Sequence, residues 1–229
     1  MIIAIDGPSG AGKSTLGKML AKTLGLLYLD TGAMYRAVGL AVLECGTSLE
    51  DEKTIAEIAR KAKIELVGEP ENQRVFLDGR DVSTEIRTNE VGHTASVVST
   101  ISRVRKILVA HQRTLGEAAQ NGCVLDGRDI GSVVFPNADA KFFLTAKPEA
   151  RARRRFEEDL QKGRGGATYE QTLEEINRRD ERDVTRADSP LTISDDAVVI
   201  DTSELDLREV FEQMMSVVRE RQSAKSKTF

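Results

Sequence analysis

The sequence predicts an α/β fold: a three-layer sandwich in which an open five-stranded parallel sheet carries helices on both faces. Three observations predict it. Five short apolar runs, each bounded by turn or helix signals, alternate with amphipathic helical stretches along the 229 residues. The first run, Ile2–Asp6, leads at once into Gly7-Pro8-Ser9-Gly10-Ala11-Gly12-Lys13-Ser14, a glycine-rich octapeptide that opens a helix. One stretch, residues 64–82, departs from this layout with the two-residue period of exposed strands.

In chain order, core strands are expected at Ile2–Asp6, 26–29, Cys123–Asp126, 141–144 and 197–200. Each is short and apolar, as parallel strands covered on both faces should be. The first helix is expected over Lys13–Leu24: Leu16, Met19, Leu20, Thr23 and Leu24 recur at helical spacing, and Gly25 stands where a C-terminus favours it. Further helices are expected over 33–44, 52–62, 102–119, Pro148–Gln161, 169–182 and 206–221. In the irregular stretch, Ile64 and Leu66, then Val75 and Leu77, share one face, and Asn72 and Asp78-Gly79 supply turns. It reads as a small antiparallel insertion, either a decorated loop or a flap over a second substrate. Lys162-Gly163-Arg164-Gly165-Gly166 separates two charged helices and reads as a mobile tip. One domain spanning 1–229 is expected, with the insertion at about 63–97 and a helical lid at about 152–168.

Composition narrows the class. Net charge is −4, so no general affinity for nucleic acid is expected. No basic leader precedes an apolar segment and no run is long enough to span a membrane, so a cytoplasmic protein is expected. Cys45 and Cys123 are far apart and read as packed thiols of a reducing compartment, and two scattered histidines, His93 and His111, read as structural residues more readily than as metal ligands. Nothing in the sequence requires a second subunit, and a monomer is expected.

The octapeptide carries chemistry. It matches G-x-x-x-x-G-K-[ST] between a strand and a helix, which aims backbone N–H groups and a helix dipole at a phosphate. Lys13 can reach the outer phosphates and Ser14 can hold a magnesium ion. The loop alone indicates a nucleoside triphosphate site and leaves its use open. Arginines then flank the glycine tip from both sides: Arg151, Arg153, Arg154 and Arg155 before it, Arg164 within it, Arg178, Arg179, Arg182 and Arg186 after it. Some belong to (i, i+4) ion pairs such as Arg153 and Arg154 with Glu157 and Glu158. Flanking on both sides favours a lid that delivers positive charge to a transferring phosphoryl group. Arg179, Asp183 and Arg186 share one helical face, as a salt-bridge stripe or as a base-reading carboxylate between phosphate ligands. At Asp30-Thr31-Gly32-Ala33-Met34-Tyr35-Arg36, Thr31 or Gly32 is expected to cap the next helix, with Arg36 one turn in. Arg128 and Asp129 follow a strand end and face the same crevice.

Absences discriminate as well. No aspartate has a glycine three residues on and no Asn-Lys pair exists, so the motifs of a guanine-nucleotide switch are missing. No general base stands out. An alcohol acceptor needs one, whereas a phosphate monoester, with a second pKa of about 6, is already mostly ionised at neutral pH.

Together, residues 7–14, Asp30 to Arg36, Glu85-Ile86-Arg87-Thr88, the run from Leu125 to Pro136 that contains Asp126-Gly127-Arg128-Asp129, and Arg179-Asp180-Glu181-Arg182-Asp183 resemble the bacterial cytidylate kinases. The likeness extends from Met1 to about Arg219. It implies a P-loop nucleoside monophosphate kinase with a core, a lid and a large monophosphate-binding insertion, transferring the ATP γ-phosphate to CMP or dCMP with Mg²⁺. It implies that Gly7, Pro8, Ser9, Gly10, Ala11, Gly12, Lys13, Ser14 and Thr15 form the ATP loop, with Ser14 as metal ligand. Thr31, Tyr35, Arg36, Ser96, Arg105, Arg128, Asp129, Arg179, Asp183 and Arg186 are implied as the monophosphate site. Of these, Ser96 and Asp183 would read cytosine, Asp129 would lie near the sugar, and Lys13, Arg128 and Arg179 would be catalytic. Ser14 stands where some members have glycine, and Thr31 where serine is common; both keep or restore a hydroxyl. The alternatives are a P-loop kinase for another small acceptor (UMP, AMP or shikimate) and a nucleotide-binding switch.

Overall fold

The structure, a computed structural model, describes residues 1–161, 163 and 166–226. Five parallel strands, β1 (Ile2–Asp6), β2 (Leu27–Asp30), β6 (Cys123–Asp126), β7 (Ala140–Thr145) and β8 (Val198–Asp201), lie in the order β2-β6-β1-β7-β8. The register aligns Ile3 with Val124 on one side and with Ala140 on the other. Side chains of β1 alternate between two cores. Ile3 and Ile5 face Leu16 and Leu20 of α1 (Lys13–Leu24) and Met214 of α8 (Leu207–Ser226), while Ala4 faces Leu29, Leu125 and Phe135. The chain leaves β1 to one side of the sheet and later returns to the other through β7. The crevice beyond the β1 C-terminus is therefore a topological switch point, where open α/β sheets bind ligands.

The strand-period stretch forms β3 (Ile64–Val67), β4 (Arg74–Leu77) and β5 (Arg80–Asp81), a three-stranded antiparallel sheet. Asp78 and Gly79 both have positive φ, 52° and 83°, as a two-residue primed hairpin turn requires. This sheet is not a loose decoration. Val75 and Leu77 share a core with Met34 and Val38 of α2 (Thr31–Glu44), Ile55 of α3 (Glu52–Lys61), Val91 and Val98 of α4 (Asn89–Val98), and Leu108 of α5 (Ser102–Glu117). Close packing of α2 on α4 depends on Gly39, where a Cβ would sit 3.0 Å from the Ala95 backbone nitrogen.

Several expectations are corrected. Helix α4 was not anticipated, nor was the π-helical turn over Ile130–Val134. The cap of α2 is Asp30 rather than Thr31 or Gly32, because its carboxylate reaches the Ala33 N–H at 2.9 Å. Cys45 ends α2 as an exposed thiol; only Cys123 is packed. The proposed mobile tip falls largely on residues 162, 164 and 165, which lie outside the described residues. On either side of it run α6 (Pro148–Gln161) and α7 (Tyr169–Thr185), the latter opened by a Thr168–Gln171 capping box. Among the described residues no helix is long and apolar enough to cross a membrane.

Candidate active site

The phosphate loop leaves β1 through Gly7, whose φ of 140° is open to glycine alone; a Cβ there would lie 1.9 Å from the Leu144 carbonyl oxygen. Gly10 and Gly12 also hold positive φ, so the backbone curls and α1 begins at Lys13 with no side-chain cap. Its first N–H groups open onto a cavity of about 1490 Å³ lined by Ser9 to Leu16. Lys13 is buried and its Nζ donates to the Pro8 carbonyl at 2.7 Å. Burial, followed by the Arg128 guanidinium, holds its pKa well below the usual lysine range, and Arg179 presses in the same direction. A buried cation crowded by two more is a site built for an anion.

Ser14 Oγ donates to Asp126 Oδ2 at 2.7 Å, and Tyr28 Oη donates to Asp126 Oδ1 at 2.8 Å. Burial raises the Asp126 pKa, with Asp30 adding to the rise. The hydroxyl and the carboxylate at the mouth of the loop are hard oxygen donors of the kind that hold Mg²⁺ together with substrate phosphates. Among the described residues no group of three or more His, Cys, Asp and Glu side chains is arranged to hold a metal by itself. Asp126 was not singled out from sequence. Only its place at the end of β6, beside β1, signals it.

Across the cavity, the second group of predicted residues converges. From α7, Asp183 accepts Arg128 Nε at 2.6 Å and lies 3.8 Å from Arg186 Nη1. Although burial opposes ionisation, Arg128 and then Arg179 outweigh it and hold Asp183 below the usual carboxylate range. Arg179 is half-buried; burial and Arg128 push its pKa down to about 9. Arg105 of α5 donates to Asp129 Oδ2 at 2.5 Å, and Arg186 Nη2 lies 3.7 Å from Asp129 Oδ1. Tyr35 lies under Arg105, the guanidinium carbon 5.8 Å from the ring centroid, and burial lifts its phenol to about 12. Tyr35 Oη, Arg105 Nε and Arg186 Nη2 are buried with no hydrogen-bond partner among the described residues. Three polar atoms left unsatisfied at one corner of a cavity call for a polar ligand.

The cavity lining includes Ser9 to Thr15, Thr31, Tyr35, Arg36, Arg105, Arg128, Asp129, Arg179, Asp183 and Arg186. It does not include Gly7, Pro8 or Ser96. Gly7 packs on the Leu144 backbone where the chain leaves β1, and Pro8 offers its carbonyl to Lys13 Nζ. Ser96, on α4, is buried and accepts Arg182 Nη1 at 2.9 Å. Thr31 spends its hydroxyl on the Asp126 carbonyl at 2.7 Å. Arg36 donates to the Ile86 carbonyl at 3.0 Å, and burial and Arg87 bring its pKa to about 10. Sequence reasoning passed over Asp6. Its two oxygens accept the Ile130 and Gly131 N–H groups, both at 2.7 Å, and so fix the turn that follows Arg128 and Asp129. Ten of the lining side chains are Lys or Arg and eight are Asp or Glu, a local excess of two positive charges in a chain of net −4.

The family model described as Cytidylate kinase matches residues 3–220. The cytidylate kinase of Caldanaerobacter subterraneus subsp. tengcongensis is 55% identical over 217 residues, covering 95% of this chain and 94% of that one. That of Halalkalibacterium halodurans is 48% identical, covering 96% and 98%. Among solved structures, a gluconokinase from Sinorhizobium meliloti superposes with a TM-score of 0.50 at 13% identity over 99% of this chain and 97% of the other, a likeness of fold alone. With a matching family model over nearly its whole length and relatives at about half identity, the chain belongs to the cytidylate kinase family, phosphotransferases of the nucleoside monophosphate kinase class.

Proposed function

We propose that the crevice transfers the γ-phosphoryl group of ATP to CMP or dCMP, giving ADP and CDP or dCDP. The observation that carries this reading is the convergence on Lys13. Lys13, Arg128 and Arg179 line one cavity, and after burial the two guanidiniums also press the lysine pKa down. Donor and acceptor phosphates would therefore meet inside one cluster of positive charge.

In this reading the backbone of Gly10 to Thr15 and Lys13 hold the ATP phosphates. Ser14, with Asp126 beside it, would hold Mg²⁺, which when bound neutralises phosphate charge. Arg36, Arg128 and Arg179 grip the acceptor phosphate. The unsatisfied atoms of Tyr35, Arg105 and Arg186 suit the oxygens of a nucleotide, Asp129 stands near the sugar, and Asp183 presents an acceptor to the cytosine amino group. The acceptor oxygen needs no base, and the crevice carboxylates Asp126, Asp129 and Asp183 are all engaged by hydroxyl or guanidinium donors. Catalysis is then alignment of two phosphates and stabilisation of charge in a site closed to water. The lid helices would supply that closure.

A second reading, in which Asp183 is only the partner of Arg128, is favoured by their 2.6 Å contact. An ADP-release assay over CMP, dCMP, UMP, AMP and GMP tests the assignment. The expected result is strong preference for the two cytidine nucleotides; equal rates with UMP overturn the specificity.

A further inference from the structure

Arg151, in the first turns of α6, has almost no contact with water, yet it lines no part of the cavity. Its donors are spent on three separate elements. Nε donates to the Ala146 carbonyl at 2.9 Å, just past the end of β7. Nη1 donates to the Ser9 carbonyl at 3.1 Å, at the apex of the phosphate loop. The same nitrogen and Nη2 form a bidentate pair with Asp180 of α7, at 3.1 and 2.6 Å. Its stem also backs the loop: a Cβ on Gly10 would meet Arg151 Cβ at 3.1 Å. Asp180 lies one residue after Arg179 and three before Asp183, so the carboxylate that Arg151 holds sets the height and rotation of the helix that carries both.

We propose that the Arg151–Asp180 pair is a positioning device that couples the phosphate loop to the acceptor-facing side of α7. A triphosphate that settles the loop backbone settles the Ser9 carbonyl. Through one rigid guanidinium this fixes Asp180, and with it the directions of Arg179 and Asp183. Donor binding thereby prepares the acceptor site, and by linkage the reverse holds to the same extent. The proposal rests on the reading of the crevice as a two-substrate kinase site.

The experiment measures CMP binding by calorimetry, alone and with a saturating non-hydrolysable ATP analogue and Mg²⁺. In the wild-type protein the analogue tightens CMP binding by about 5-fold or more. Asp180→Asn, nearly isosteric, brings that factor toward one while the analogue alone binds within about twofold of wild type. Arg151→Lys, which keeps the charge and loses the fork, does the same, and the double variant is no worse than either single one. Retention of the wild-type factor in either single variant overturns the proposal. So does the absence of any such factor in the wild type, or loss of analogue binding in place of coupling. Melting temperatures identify a variant that fails to fold, in which case the other single variant decides. Turnover of CMP by the wild type tests the underlying reading separately: a wild type that couples the two ligands without transferring phosphate defeats that reading and leaves the coupling standing.

Discussion

At the scale of single residues, two carboxylates show how position decides role. Asp183 is held ionised by guanidiniums and faces the cavity, so it can accept a hydrogen bond from an amino group. Asp183→Ala is expected to weaken CMP binding far more than ATP binding. The CMP-to-UMP ratio of kcat/KM should fall by about 5- to 150-fold, the equivalent of roughly 1–3 kcal/mol for one base-reading contact. An unchanged ratio returns Asp183 to the role of partner to Arg128. Asp6 shows the opposite electrostatics. Burial raises its pKa to about 6, and the two backbone N–H groups it accepts only partly offset this. Its folded-state pKa lies above the unfolded value, so the native chain binds the extra proton between about pH 4 and 6. The stability it contributes is complete at the acid end of that window and declines as the pH rises through it, by roughly 3 kcal/mol for about two pKa units. Urea midpoints of wild type and Asp6→Asn across this range should show wild type losing ground to the variant up to about pH 6, and no further change above it. A wild type that gains on the variant with rising pH contradicts the assignment. Neither Asp6 nor Arg151 was legible as a positioning residue. Their partners lie 124 and 29 residues away in sequence, and no local period marks such a contact.

At the scale of elements, the apolar strand runs and the phosphate loop were legible because each is a local pattern. All five core strands appear within a residue or two of their expected places. The antiparallel insertion followed from its period of two and from Asp78-Gly79. Helix α4 was missed for a physical reason. Its first turns carry Gly92 and polar residues, and its apolar side chains meet α2 and the insertion rather than the main sheet. It exists through tertiary packing more than through propensity. The α2 terminus shows the same limit. Asp30 caps the helix and also accepts Arg87 Nη2 at 2.9 Å, tying α2 to the stretch before α4. The sequence put the cap one or two residues late because Thr31 and Gly32 are themselves residue types that cap helices. Asp30→Ala is expected to lower unfolding free energy by about 1–2 kcal/mol, from loss of the cap. Asp30→Asn keeps a capping oxygen and should recover most of it. Denaturant titration of the two variants checks this, and equal losses would mean that the Arg87 pair rather than the cap carries the effect.

At the scale of the whole molecule, the site costs stability until it is filled. Lys13, Arg128 and Arg179 crowd one another at the switch point of the sheet, and polar atoms of Tyr35, Arg105 and Arg186 are buried unsatisfied in the same cavity. Anything that brings phosphate oxygens into this space relieves both penalties, and it does so only in the folded chain. At a hundred times its dissociation constant, such a ligand adds about 2.7 kcal/mol. For a chain of this size that corresponds to a rise in melting temperature of about 5–10 °C. Mg²⁺–ATP and CMP should each produce a rise, whereas cytidine, which lacks the phosphate, should produce little at equal concentration. Lys13→Ala should cut turnover by about 100-fold or more, as loss of a donor to developing charge does, and shrink the ATP-induced rise while leaving that from CMP. If cytidine matched CMP, the stabilisation would come from the base pocket, and relief of clustered positive charge would not be what organises this crevice.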